Sequence, residues 1–325
     1  MKKPNPQLTN RLIIAGTMLA VLSGGIYLLP WAEAHNQLAA SIVAVNQPPP
    51  HDPFSDLILA AEAVIVMDLE SGEIIFAKNE DKLLPLASIT KIMSAITAVN
   101  KLDSETIVTV DDISLRQGSN AGLGQGRWYL SDLLDFSLVT SSNGAANAIA
   151  ATYKQKTGED FVLAMNRLAE EIGLANSYFI NPTGLDVGGP YGGSYSTAVD
   201  VAKLFRYTLT EYPALLAPTR EPMIKRQTID GENYTGHNTN KSVTNIAGLL
   251  ASKTGFTDNA GGNLAVVFDA GLGRPYVAVA LASTRDYRFA DIIALVQATI
   301  EYQSYLTPAL PTLPTGRQAV GRVVK

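Results

Sequence analysis

Apolar positions along this 325-residue chain fall into three kinds of spacing. The first is an unbroken run, Leu12 to Leu29, which carries no charge over 18 residues and follows Lys2, Lys3 and Arg11. The second is strand-like: "AVIVMDL" and "EIIFAK" are β-rich runs around "ESG", a hairpin signal. The third is helical. Ile89, Ile92, Met93, Ile96 and Val99 share one face, and Pro85 stands where that helix would begin. From about 100 to 240 the helical spacing persists between loops. "LSDLLDFSLV" and "DFVLAMNRLAEEIG" are two such helices, the second ending at Gly173. "STAVDVAKLFRYTL" is a third, capped by Ser196 or Thr197. The strand spacing then returns in "NLAVVFDAG" and "RPYVAVALAS" around "GLG", and "FADIIALVQATIEYQSYL" closes the pattern as an amphipathic helix.

Strands at both ends and helices between them imply an α/β protein of the α+β type. The simplest arrangement is one antiparallel sheet assembled from both ends of the chain. The first and last helices would cover it, with an all-helical block inserted. Residues 35–60, with "NQPPPHDP", are Pro-rich and polar and read as a linker, so structure should start near Glu62. The globular domain is expected over 61–306, and 307–325 as a disordered tail.

Composition narrows the possibilities. Apolar residues make up 46% and charged residues 17%, which suits a sizeable core. The net charge of −5 and the lack of a basic run give no reason to expect a nucleic-acid partner. No Cys is present, so disulfides and thiolate chemistry are excluded; His35, His51 and His237 are too dispersed for a metal site. The basic N-terminus, the apolar run and the small-x-small Ala32-Glu33-Ala34 mark residues 1–34 as a targeting segment. It is either a cleaved signal or a retained membrane anchor, and in both cases the remainder is exported to the outer face of the cytoplasmic membrane.

A Ser and a Lys interrupt the first core helix. Ser88 and Lys91 stand at i and i+3, on one face, within reach of each other. An ammonium among Ile and Met is costly unless it has work to do. A serine nucleophile needs a base, and Ser-Lys is a known alternative to Ser-His. Burial lowers a lysine's pKa, so a neutral Lys91 could take the Ser88 proton, and the helix N-terminus would favour a developing oxyanion. Two further motifs accompany this pair: Ser141-Ser142-Asn143 directly after a helical run, and Lys253-Thr254-Gly255 directly before a strand. S-x-x-K, S-x-N and K-T-G together are the set shared by penicillin-binding proteins and class A β-lactamases.

With "NPTGLDVGG", "YSTAVDVAKL" and "AGGNLAVV", these motifs make the chain resemble a D-alanyl-D-alanine carboxypeptidase of the low-molecular-weight penicillin-binding protein family from about Ala63 to Leu306. The resemblance implies a β-lactamase/transpeptidase-like fold. It implies that Ser88 attacks a peptidoglycan stem peptide ending in D-Ala-D-Ala and that Lys91 is the base. It implies that Ser141 relays a proton to the leaving amine and that Asn143 binds the substrate amide and holds Lys91. Lys253 would supply a fixed positive charge, and Thr254 a hydrogen bond, for the terminal carboxylate. Gly255 completes that motif, and the N–H groups of Ser88 and Phe256 would form the oxyanion hole. No cofactor or metal is implied, and β-lactams would acylate Ser88 as inhibitors. Many relatives have Asp where Gly144 stands. About 19 residues follow Leu306, too few for the second domain and anchor helix of some relatives, so any membrane anchor is expected at Leu12–Leu29.

Three alternatives share this fold: a D,D-endopeptidase, a class A-like β-lactamase and a non-enzymatic wall-binding protein. For the β-lactamase, "EIGLA" from Glu171 to Ala175 lacks the final Asn of an E-x-x-L-N segment. "GLGQGRW" has Arg127 in place of the last Gly of a nucleotide-binding loop. Of Arg285 and Arg288, one could border a carboxylate pocket, but surface ion pairing is the plainer expectation.

Overall fold

The computed structural model describes residues 51–306 except Leu272. The apolar run Leu12 to Leu29, the small-x-small site, most of the linker and the tail from 307 lie outside the described residues. Among the described residues no helix is long and apolar enough to cross a membrane. The chain divides into two units, Pro53–Glu301 and a second made of Met1–Asp52 with Tyr302–Lys325. Nearly all described residues belong to the first.

In chain order the strands are β1 (Ala63–Asp68), β2 (Ile74–Lys78), β3 (Leu84–Pro85), β4 (Ile107–Val110), β5 (Gly126–Tyr129), β6 (Tyr178–Phe179), β7 (Ser194–Ser196), β8 (Met223–Gln227), β9 (Asn233–His237), β10 (Leu249–Thr257), β11 (Gly261–Asp269) and β12 (Pro275–Ser283). The helices are α1 (Thr90–Val99), α2 (Leu130–Thr140), α3 (Asn143–Thr157), α4 (Phe161–Glu171), α5 (Ala198–Glu211) and α6 (Tyr287–Leu306).

The principal sheet has the order β10-β11-β12-β1-β2, with every neighbouring pair antiparallel. It is built from both ends of the domain, because β1 pairs with β12 from Ala63↔Leu281 to Asp68↔Tyr276. Alternation sorts its side chains. Ala63, Ile65, Met67, Ala265, Val267, Val277, Val279 and Leu281 join the main core, while Val64, Val66, Leu264 and Val266 are buried on the opposite face. On the core side α5 packs against β1 and β12. Asp291 of α6 accepts the Ser283 hydroxyl at 2.6 Å and the backbone N–H groups of Ala60 and Ala61. The last helix thus meets the sheet as expected. The first does not: α5 holds that place, and α1 is enclosed by α2, α3, α4 and α5 because its residues are buried nearly all round.

Three expectations are corrected. The inserted block is not all-helical: β3-β7-β6, β4-β5 and β8-β9 form small sheets within it. Strands of two to five residues are too short to show a period of two. Pro85 does not open a helix. It pairs with Tyr195 in a short ladder, and a 3-10 turn, Ala87–Ile89, leads into α1. Packing also begins before Glu62, since Phe54 is buried and stacks on Phe76 with ring centroids 4.8 Å apart.

Candidate active site

Ser88 lies in the 3-10 turn, half-buried, immediately after Ala87, whose φ is +48°. A left-handed conformation at a residue with a Cβ is strained and persists only when its surroundings hold it. They do so here. The Ala87 carbonyl accepts the Thr90 hydroxyl at 2.6 Å, and that hydroxyl also meets Ser194. Gly184 packs so tightly on this turn that a Cβ there would stand 1.9 Å from the Ala87 oxygen. On the other side a Cβ at Gly255 would meet the Leu86 oxygen at 2.6 Å and the Ser88 nitrogen at 3.2 Å. Glycine at 255 therefore lets β10 lie directly against the Ser88 turn.

Lys91 is 1% exposed. Its Nζ stands 2.9 Å from Ser88 Oγ, 2.7 Å from Asn143 Oδ1 and 2.8 Å from the Thr183 carbonyl. Burial, and then the charge of Lys253, hold its pKa well below the usual lysine value. The three partners are unequal. Asn143 Oδ1 and the Thr183 oxygen can only accept, so a neutral amine gives them its two hydrogens. Its lone pair is then left facing the Ser88 hydroxyl, and the arrangement can remove that proton.

Asn143 and Ser141 come from the joint between α2 and α3. Ser141 ends α2 with φ +62°, Ser142 caps α3 by accepting the Ala145 N–H, and Asn143 is the first residue of α3. This turn aims Asn143 at Lys91 and Ser141 at β10. Lys253 Nζ donates to Ser141 Oγ at 2.9 Å and to the Thr254 carbonyl at 3.0 Å. Since Ser141 Oγ accepts there, its own proton is free to be donated. Lys253 is also 1% exposed, and burial, followed by the charge of Arg288, lowers its pKa to about 7.

Thr254 Oγ1 lies 2.6 Å from Thr239 Oγ1. Phe256, 38% exposed, forms the rim, with the Arg285 guanidinium 4.9 Å over its ring. Beyond Phe256 a cleft is lined by Gln117, Gly118, Asn181, Leu185, Asp186 and Thr257. Arg288 departs from the expectation of surface ion pairing. It is 7% exposed, donates to the Gly255 carbonyl at 2.5 Å and forms no ion pair with a carboxylate among the described residues; burial and Arg285 lower its pKa to about 10. A neighbouring strand, invisible to local patterning, draws it inward.

Ser88, Lys91 and Asn143 therefore meet directly, Ser141 meets Lys253, and Gly255 abuts the Ser88 turn. Sequence reasoning missed Thr183, whose contribution is a main-chain carbonyl, and Asn181, whose Oδ1 accepts from Thr183 N, Thr183 Oγ1 and Gly184 N to shape that turn. Only the segment "NPTGLDVGG" hinted at them. No group of His, Asp and Glu suited to a metal ion occurs among the described residues.

Residues 48–283 match the family described as D-alanyl-D-alanine carboxypeptidase. The chain is similar to D-alanyl-D-alanine carboxypeptidase DacB2 of Mycobacterium tuberculosis, with 32% identity over 71% of this chain and 74% of that protein. It is similar also to a D-alanyl-D-alanine endopeptidase of Pseudomonas aeruginosa, with 30% identity over 68% and 71%. DacF of Bacillus subtilis is 28% identical over 77% of this chain but 65% of its own length. Among solved structures, ampicillin-bound Penicillin-Binding Protein D2 from Listeria monocytogenes superposes with a TM-score of 0.65 at 28% identity, covering 75% of this chain and 98% of that one.

Proposed function

Since the chain belongs to the D-alanyl-D-alanine carboxypeptidase family, we propose that it removes the terminal D-alanine from peptidoglycan stem peptides ending in D-Ala-D-Ala, with Ser88 as nucleophile and Lys91 as base. The observation that carries this reading is the set of contacts around Lys91, where two obligate acceptors leave the lone pair to Ser88. Ser88 Oγ attacks the carbonyl of the penultimate D-Ala while its proton passes to Lys91. The oxyanion is held by the N–H groups of Ser88 and Phe256, on segments brought together at Gly255. Ser141 hands a proton to the departing amine. Lys253 and Thr254 bind the terminal carboxylate, whose charge draws Lys253 into its protonated form. Water then attacks the acyl-enzyme and regenerates Ser88.

β-Lactams are inhibitors on this reading, since they acylate the same serine, and the ampicillin-bound relative supports it. If it is left uncleaved, the Leu12–Leu29 run would tether the domain outside the cytoplasmic membrane. Endopeptidase action on cross-links is the second reading, favoured by the Pseudomonas aeruginosa relative. Incubation with a D-Ala-D-Ala pentapeptide and with a cross-linked dimer separates the two by which substrate releases product. Labelled penicillin should map to Ser88. Label that persists in Ser88→Ala would remove Ser88 from the mechanism.

A further inference from the structure

The segment Gly118-Ser119-Asn120 supplies no group to the chemistry above, yet it is fastened to the turn that carries Ser141 and Asn143. The Ser119 carbonyl accepts the Asn143 N–H at 3.0 Å. Asn120 Oδ1 accepts the Gly144 N–H, also at 3.0 Å. Gly118, with φ +69°, approaches so closely that a Cβ there would stand 2.3 Å from Asn143 Nδ2. Asn120 is itself braced, because its Nδ2 donates to the Leu115 carbonyl at 2.7 Å.

The first N–H groups of a helix have no partner within it. In α3 the capping side chain of Ser142 serves Ala145 only, so the N–H groups of Asn143 and Gly144 depend on this outside segment. Where the segment sits fixes where α3 begins. That in turn fixes the 2.7 Å contact from Asn143 to Lys91 and the 2.9 Å contact from Ser141 to Lys253. The residue at 144 is bound to the same arrangement. A Cβ on Gly144 would lie 2.7 Å from Asn120 Oδ1 and 2.7 Å from Leu115 Cδ2, pushing the amide oxygen off the N–H it serves.

We propose that Asn120 is a positioning residue for the reaction: its amide oxygen holds the first turn of α3, and with it Asn143 and Ser141, at their working distances, and glycine at 144 is the condition for that contact. The proposal rests on the roles assigned above to Ser88, Lys91, Ser141 and Asn143.

Rapid-mixing kinetics with a fluorescent penicillin separate the pre-covalent dissociation constant from the limiting acylation rate. In Asn120→Ala the limiting rate should fall about tenfold to a hundredfold, since a displacement on the order of 1 Å suffices for that, while the dissociation constant stays within about twofold. Asn120→Asp keeps an oxygen for the Gly144 N–H and should recover most of the rate. Gly144→Ala should lose about as much as Asn120→Ala, and the double variant no more than the worse single one, because both act through one contact. Should Asn120→Ala melt too low to assay, Gly144→Ala against Asn120→Asp makes the same comparison. A labelled parent with an unimpaired Asn120→Ala, an Asn120→Asp as slow as Asn120→Ala, or losses that multiply in the double variant would overturn the clamp. A parent that takes no label on Ser88 overturns the reading beneath it.

Discussion

Lys253→Met removes a buried ammonium that forms no ion pair with a carboxylate among the described residues and meets only Ser141 Oγ and the Thr254 carbonyl. Its pKa falls from 10.5 to about 7, so the folded protein binds this proton less well than the unfolded chain does. The sign follows directly. Below about pH 7 both states are protonated and the native state bears the whole burial cost; as pH rises toward 10.5 the unfolded chain also gives up the proton and the cost vanishes. At neutral pH and below, that cost reaches roughly 5 kcal/mol on an order-of-magnitude reckoning. Methionine forfeits two hydrogen bonds of about 1 kcal/mol each, and structural relaxation trims the remainder. A net gain of about 2 kcal/mol at pH 6 is expected, or about 4–8 °C in Tm for a domain of this size. Thermal melts of both proteins at intervals from pH 6 to 10 test it. The gap should be widest at the acid end and should close as the medium becomes alkaline. A gap that does not change with pH, or a variant less stable than its parent at pH 6, would refute the reasoning.

Lys91→Met should lower the rate of penicillin acylation by about 10²–10⁴-fold, the usual worth of a general base; acylation at the parent rate would reveal another base. Lys253→Ala should lower kcat/KM for a free-acid peptide about tenfold to a hundredfold, the value of a charge-assisted hydrogen bond of roughly 1.5–3 kcal/mol, and much less for the C-terminal amide; equal losses would remove Lys253 as carboxylate anchor. For the parent enzyme, kcat/KM on the free acid should decline above about pH 7 as Lys253 loses its proton, with a weaker decline on the amide. Gly255→Ala should slow acylation about a hundredfold, because its Cβ would come 2.6 Å from the Leu86 oxygen and force β10 off the Ser88 turn; an unchanged rate would show that this close approach does not govern the site.

The elements that could be read in advance were those whose period repeats. β1 and β2 around Gly72, β11 and β12 around Gly271, and the helix from Thr90 all follow from alternation or helical spacing. Ser88 and Lys91 could be paired because i, i+3 spacing puts both on one face, whereas Ser141, Asn143 and Lys253 were singled out only through the family resemblance that the three motifs carry. What escaped depends on distant chain. Arg288 resembles any surface arginine until the Gly255 carbonyl is placed beside it. Thr183 contributes a carbonyl that every residue type possesses. Lys253 owes its depressed pKa to burial, and no local pattern reports burial of a charged residue.

The pairing of β1 with β12 also bears on how the domain comes into being. Ala63 and Leu281 are opposite one another although the chain between them holds nearly the whole domain. Such a ladder is non-local, and loop-closure entropy opposes it until that intervening chain is largely ordered, which makes folding slow. β10, which backs the Ser88 turn, enters the sheet through β11 and β12, the last strands to be synthesised. A nascent chain halted before β10 would carry Ser88, Lys91 and Asn143 without the strand that abuts the Ser88 turn at Gly255. On the proposed mechanism, the site is complete only after the C-terminal strands have docked against the N-terminal hairpin.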